Sequence, residues 1–207
     1  METRFLHGSP TLVVGPSCCG KTDFLKRVAE HPSHFVTPSP NKVVWCGNST
    51  DEIRVGDVPI EFLSEMPTDF EGYSNSLIIL DDMLLEVFDD TNVANLFIRD
   101  CHHKKITLFV TLQNLFSNAK YQRTCSLNAK YILLYNSPRD KLQIQTLCRQ
   151  LEPTKWRSLL KAYEDACSPY NFLLIDLNQE TPADFKYRTG YNNGEISAYR
   201  LNVEKTI

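Results

Sequence analysis

Residues Gly15, Pro16, Ser17, Cys18, Cys19, Gly20, Lys21 and Thr22 fit the phosphate-loop pattern Gly-x-x-x-x-Gly-Lys-Ser/Thr. Two glycines let the backbone turn successive N–H groups inward around a polyphosphate. The Lys21 ammonium can reach the outer phosphates, and the Thr22 hydroxyl is of the type that binds Mg²⁺. A second constellation is Leu77-Ile78-Ile79-Leu80-Asp81-Asp82, an apolar strand ending in two carboxylates, the Walker B pattern. Asp81 is expected to hold Mg²⁺ through water opposite Thr22, and Asp82 to orient an attacking water. Glu86, four residues on, is a second choice of base. The third position is Gln113, where the run Ile106–Val110 leads into Thr111-Leu112-Gln113-Asn114. A side-chain amide at the carboxyl end of a neighbouring strand can touch the γ-phosphate and the attacking water.

Such residues work only if strands and helices bring them to one edge. Thr11–Val14 is an apolar run before the phosphate loop, and Asp23–Ala29 carries a helical pattern after it, so the strand–loop–helix context is present. Short apolar runs recur at Leu12–Val14, Val43–Trp45, Leu77–Leu80, Ile106–Val110, Tyr131–Tyr135 and Phe172–Ile175. Alternating with helical stretches, they read as buried parallel strands. The fold class expected is α/β: a doubly wound, mainly parallel sheet with helices on both faces. Helices are expected at about 21–30, 91–102, 138–151 and 154–167, the third opened by Ser137-Pro138 as N-cap and first-turn proline. His31–Asn41, with Pro32, Pro38 and Pro40, reads as a loop, and a short strand is expected near Ile60–Leu63. The chain reads as one domain with a core over about 9–178. The segment 179–207 reads as a polar extension that wraps the surface or is partly disordered.

The 207 residues suffice for one substantial core, and a composition of 42% hydrophobic and 23% charged residues is that of a globular protein. No apolar run reaches transmembrane length, and Met1–Phe5 lacks a signal-peptide apolar region, so an intracellular, membrane-free protein is expected. Seven cysteines without a Cys-x-x-Cys pair point to reduced thiols. Cys19, beside a phosphate site, has either an acidic thiol or simply a small side chain that fits the loop. Cys101-His102-His103 lacks a second ligand pair at zinc spacing and reads as a surface turn before a strand. Charge is unevenly placed. Residues 99–161 hold 12 Lys/Arg and three acids, a charge of +9 inside a chain of −3, which leaves −12 for the remainder. That asymmetry suggests a polyanion partner, nucleic acid first, unless folding scatters the charges over several faces.

The set Gly15–Thr22, Leu77–Asp82 and Val110–Gln113 resembles the FtsK–HerA division of P-loop ATPases. The likeness tightens through Phe97–Ile106, Leu115-Phe116, Ser126–Ile132, Asn136–Lys141, Tyr163–Ala166 and Leu173–Leu177. Together these resemble the poxvirus-type DNA-packaging ATPases, and most those of Maverick/Polinton elements and adintoviruses, over roughly residues 9–190. The resemblance implies a homo-oligomeric ring, pentamer or hexamer, that hydrolyses ATP with Mg²⁺ to drive double-stranded DNA into a capsid. Its implied partners are DNA and a capsid or portal-type protein, and its implied location is the virion assembly site in the host cell. It also implies an arginine finger reaching a neighbour's site, with Arg99 the first candidate, Arg139 the second and Arg123 the third. Much of that division has Glu after the Walker B Asp; this chain has Asp82, which leaves the base open between Asp82 and Glu86. Two other readings share the same loop. A small nucleotide or small-molecule kinase would need an arginine-rich lid and an acceptor pocket, neither of which the sequence displays. A non-hydrolysing ATP-binding assembly module would use the site only to organise a ring. A GTPase is disfavoured because no Asn-Lys-x-Asp guanine-reading motif occurs.

Overall fold

A computed structural model describes residues 3–47, 53, 56–83, 85–116 and 118–202, with the backbone alone at 85 and 86. In chain order the elements are β1 (Phe5–Leu6), β2 (Pro10–Val14), α1 (Lys21–Glu30), α2 (Pro32–Phe35), β3 (Val36–Thr37), β4 (Lys42–Cys46), β5 (Ile60–Leu63) and β6 (Ser76–Leu80). Then come α3 (Thr91–Asn95), a π-turn (Leu96–Asp100), α4 (Cys101–His103), β7 (Thr107–Leu112), α5 (Gln122–Asn128), β8 (Tyr131–Tyr135), α6 (Lys141–Leu151), α7 (Trp156–Ala166), β9 (Phe172–Asp176), β10 (Tyr187–Thr189) and β11 (Ser197–Ala198). Among the described residues, nine strands form one sheet in the order β11-β10-β9-β8-β2-β7-β6-β4-β5, with β1 and β3 a separate parallel pair.

Each of the six apolar runs is a strand, and their continuous apolarity follows from burial on both faces. Alternate residues serve opposite cores. Leu12, Val14, Ile78, Leu80, Leu108 and Val110 pack with Val93, Leu96, Cys125, Ile144, Leu159 and Tyr163 from α3, the π-turn, α5, α6 and α7. Val13, Val43, Trp45, Leu77, Ile79 and Phe109 pack with Phe24, Leu25, Val28 and Ala29 of α1. Truncating a fully buried side chain such as Leu25 should cost about 2–5 kcal/mol. The doubly wound α/β class is therefore the observed one. The strands from β5 through β8 are parallel, and β7 lies between β2 and β6.

Several expectations are corrected. β9 is antiparallel to β8 rather than parallel. The two helices expected between them are present, and they set that direction. α6 descends to the amino edge, α7 returns, and its end lies by β8's carboxyl end, where Tyr163 Oη donates to Tyr135 O (3.0 Å). The chain re-enters the sheet from the carboxyl edge, so β9 must run the other way. The helix expected to open at Ser137-Pro138 is α6, and it starts at Lys141. Ser137 Oγ donates to Asp140 Oδ2 (3.0 Å) and Asp140 N–H to Ser137 O (3.2 Å), so the serine closes a turn before the helix instead of capping it. Strand β7 runs on to Leu112, and Ile106 N–H donates to Cys101 O of the preceding helix end. The proline-containing loop at 31–41 includes α2 and β3. Cys101–His103 is the last helical turn before β7, with Cys101 buried and both histidines exposed, rather than a surface turn. The tail is part of the sheet: β10 and β11 extend it, and Arg188 Nη2 bonds Asp176 Oδ2 at 2.9 Å with both side chains almost wholly buried (3% and 4% exposed).

Candidate nucleotide site

The carboxyl edge of the parallel strands gathers the three sequence motifs. Val14 pairs with Leu112 and with Leu134, and Leu80 pairs with Val110, so the residues leaving β2, β6, β7 and β8 emerge side by side. Gly15 N–H donates to Leu112 O (3.0 Å), which ties the first loop residue to the strand that ends one residue before Gln113. This is the crevice where open α/β sheets bind ligands.

The loop's glycines are there for space and for conformation. A Cβ on Gly15 would sit 2.6 Å from Tyr135 Cβ and 2.8 Å from Cys19 Sγ. Gly20 has φ +100°, a conformation that side chains rarely adopt, and Tyr135 Oη donates to its carbonyl (3.3 Å). Gly20 also stands at the N-cap of α1 with no side-chain cap, which leaves the first-turn N–H groups and the positive helix end for an anion. Lys21 Nζ donates to the loop carbonyls Gly15 O (2.7 Å) and Pro16 O (2.8 Å), so it braces the loop's shape. An acidic thiol at Cys19 is not what results. Burial pushes its pKa up, and the Lys21 charge offsets this only in part. All seven cysteines are free thiols, five of them buried.

Thr22 and Asp81, 59 residues apart, meet directly: Thr22 Oγ1 donates to Asp81 Oδ2 at 2.8 Å. Asp81 is 2% exposed. Burial pushes its carboxyl pKa up; the hydroxyls of Thr22 and Thr111 pull the other way, and the Asp82 charge adds to the rise. Its second oxygen, Oδ1, is buried with no partner of ordinary hydrogen-bond geometry. A buried carboxylate with an unpaired oxygen beside a threonine hydroxyl offers hard oxygen donors of the kind that suits Mg²⁺. The residues therefore fit the expected cation.

Asp82 differs sharply from its neighbour. The backbone turns into the left-handed region at φ +50°, its N–H donates to Thr111 Oγ1 (2.8 Å), and its side chain is exposed. The strand end thus splits two consecutive carboxylates into one buried and one open to solvent. Gly47, leaving β4, makes room for this: a Cβ there would lie 2.4 Å from Asp81 O. Gln113 is exposed directly after β7, between the loop of β2 and the aspartates of β6. Glu86 falls in the 3-10 turn Leu85–Asp89, and its side chain lies outside the described residues.

The three arginines separate. Arg139 is exposed in the turn after β8, on the loop's own edge. Arg99, on the π-turn, has its Nε bonded to Asp100 Oδ1 (2.8 Å) and its side chain 61% exposed. Together with Arg123 it lines a cleft at the opposite, amino edge. Sequence reasoning missed Thr111, Tyr135 and Gly47, which shape the loop and the aspartates without touching them through any motif. Thr111 lay within the quoted Val110–Gln113 block, and its being the one polar residue in the apolar run 108–112 was the available signal. Among the described residues no group of His, Cys, Asp and Glu has metal-cluster geometry, and no helix is long and apolar enough to cross a membrane.

No protein-family model and no curated protein matches the chain. Solved structures do. The genome packaging NTPase B204 from Sulfolobus turreted icosahedral virus 2, in complex with sulfate, superposes with a TM-score of 0.56 at 13% identity, over 95% of this chain and 98% of that one. The same protein in complex with ATP-gammaS gives 0.54 at 12%, covering 93% and 96%. B204, the DNA-packaging ATPase from Sulfolobus Turreted Icosahedral Virus, gives 0.56 at 12%, covering 94% and 98%. At this identity the likeness establishes the shared fold.

Proposed function

We propose that the chain is an ATP-hydrolysing ring motor that moves double-stranded DNA during viral genome packaging. The observation that carries this reading is the direct contact of Thr22 with Asp81 beneath a glycine-shaped anion loop, with Asp81 Oδ1 left unpaired. The near end-to-end likeness to proteins described as packaging NTPases adds to it.

In this reading the loop N–H groups, the start of α1 and Lys21 bind the phosphates of ATP, Lys21 exchanging loop carbonyls for phosphate oxygens. Thr22 and Asp81 are the residues that would hold Mg²⁺, which when bound would supply positive charge against that of the transferring phosphoryl. Asp82, lifted out of the strand, accepts a proton from the attacking water, with Glu86 as the alternative; Gln113 orients that water and senses the γ-phosphate. A neighbouring subunit supplies an arginine, Arg99 or Arg139 or Arg123. The ring is a pentamer or hexamer that engages a capsid or portal-type protein at the virion assembly site in the host cell, and its motifs resemble those of the ATPases of Maverick/Polinton elements and adintoviruses.

ATP turnover by the purified chain, with and without duplex DNA and with oligomeric state measured alongside, tests the proposal. Duplex DNA should accelerate hydrolysis, and Lys21→Ala and Asp82→Asn should abolish it. A kinase would ignore DNA and respond to an acceptor instead. Normal packaging by both variants would leave only an assembly module. Arg99→Ala and Arg139→Ala, each mixed with Lys21→Ala, identify the finger: only a residue acting across an interface is rescued by mixing.

A further inference from the structure

The cleft at the amino edge of the sheet has a volume of about 1460 Å³ and lies at the far end of the strands from the phosphate loop. Its floor is the start of β2 at Ser9 and Pro10, and its walls come from the π-turn, α5 and the end of α6. Four permanent cations line it from separate segments: Arg99 on the π-turn, Lys105 before β7, Arg123 on α5 and Lys130 before β8. Among the described residues its lining includes one carboxylate, Glu180. Four of the twelve cations of residues 99–161 therefore converge on one concavity.

A second observation is independent of charge. His7 Nε2 and Ser126 Oγ, both on residues that line the cleft, are buried with no hydrogen-bond partner. His7 Nδ1 lies 2.6 Å from Thr107 Oγ1, which already accepts from Gly8 N–H (3.0 Å). In the tautomer in which the Thr107 hydroxyl donates to Nδ1, the ring proton sits on Nε2 as an unused donor. Burial and the Lys105 charge keep this imidazole's pKa down, so it acts as a neutral donor. Unused donors among cations call for a ligand that only accepts.

We propose that this cleft holds the phosphate backbone of duplex DNA, a reading that rests on the motor function above and supplies its track. Phosphate oxygens accept hydrogen bonds from Ser126 and His7 and pair with Lys105, Lys130, Arg99 and Arg123, without reading base identity, and the finger role then falls to Arg139. The assignment also puts DNA and ATP on opposite edges, joined by the five-residue strand β2 and the six-residue strand β7. The rival occupant is a second copy of the chain, which would use the exposed Ile98 and Leu127; donors without acceptors favour the phosphates.

Anisotropy of a fluorescent duplex, titrated over a range of salt with the full chain, is the test, using Lys105→Glu and Lys130→Glu, with Lys161→Glu on α7 as control. Each cleft variant should weaken binding roughly tenfold and lower the salt slope by about one. Basal ATP turnover should be unchanged and the control should bind like wild type. Duplex-stimulated turnover that survives in cleft variants of unchanged affinity overturns the cleft and leaves the motor standing. Cleft-dependent binding with no stimulation of turnover leaves the cleft and sinks the motor. Loss of affinity in the control as large as in the cleft variants, or a change of sedimentation without a change of duplex affinity, overturns the proposal in favour of diffuse binding or of a subunit contact.

Discussion

The two edges of the sheet differ in how their functional groups are spaced along the chain. The carboxyl edge is made of short contiguous segments whose backbone is forced: Gly15 and Gly47 exclude any side chain, Gly20 and Asp82 have positive φ, and Asp81 has an oxygen buried without a partner. The amino edge has no motif. Its cations come from positions 99, 105, 123 and 130, each exposed and each on a different element or turn. The first arrangement suits a ligand whose every oxygen must be placed, because misplacement by about an ångström is costly to chemistry. The second suits a long, repetitive polyanion, for which charge within reach is enough. A substitution should accordingly have a large, all-or-none effect at the carboxyl edge and a graded, salt-dependent effect at the amino edge.

The largest effect is expected from Asp81→Asn. It keeps the size of the side chain and an acceptor for Thr22 but removes the charge that the cation needs. ATP hydrolysis should fall by about 10²–10³-fold or more, while duplex affinity measured without nucleotide stays at the wild-type value. A parallel loss of duplex affinity would show that the two edges are not separable. Gly15→Ala should rank next. Its Cβ cannot be accommodated without moving the Tyr135 Cβ or Cys19 Sγ, and the loop N–H groups would move with it. Nucleotide affinity, read by calorimetry, should drop at least tenfold, by the loss of about 1.4 kcal/mol or more.

This asymmetry also sets what was legible beforehand. The phosphate loop, the two aspartates and Gln113 could be found because each sits at a strand end, and strand ends follow from apolar runs that are buried on both faces. The strands themselves were placed within a residue or two for the same reason. What escaped was whatever depended on a distant partner. Ser137 reads locally as a helix cap, yet its hydroxyl bonds Asp140 and its N–H donates to Tyr163 Oη, and no local rule reports that. Arg188 reads as a polar tail residue, yet it neutralises Asp176 inside the sheet. The amino-edge cleft was visible only as a net charge, since convergence of four separated cations is a property of the fold.

The Arg188–Asp176 pair tests whether the antiparallel strands are a passive rim or part of the frame that supports both edges. Arg188→Ala leaves Asp176 buried and uncompensated, and should destabilise the chain by about 3–5 kcal/mol in denaturant titrations. A cost under about 1 kcal/mol, the range of an exposed pair, would mean that β10 peels away readily. The two edges would then be framed by the parallel strands alone.

The smallest and most discriminating change is at Thr111. Its hydroxyl accepts the Asp82 N–H at 2.8 Å and stands near Asp81, so it holds the split between the buried and the exposed carboxylate. Thr111→Val keeps the shape and removes the acceptor, leaving one backbone N–H unpaired, a cost of about 1–3 kcal/mol. Thr111→Ser keeps the acceptor and loses a methyl group. If the geometry of Asp82 governs hydrolysis, the valine variant should lose turnover about tenfold at unchanged KM for ATP, because the affected group acts on the water and not on the nucleotide. The serine variant should recover most of that loss. Equal loss in both variants would trace the effect to packing within β7. A rise in KM with constant turnover would place Thr111 with the phosphate-binding residues, and the division of labour between Asp81 and Asp82 would then have to be drawn elsewhere.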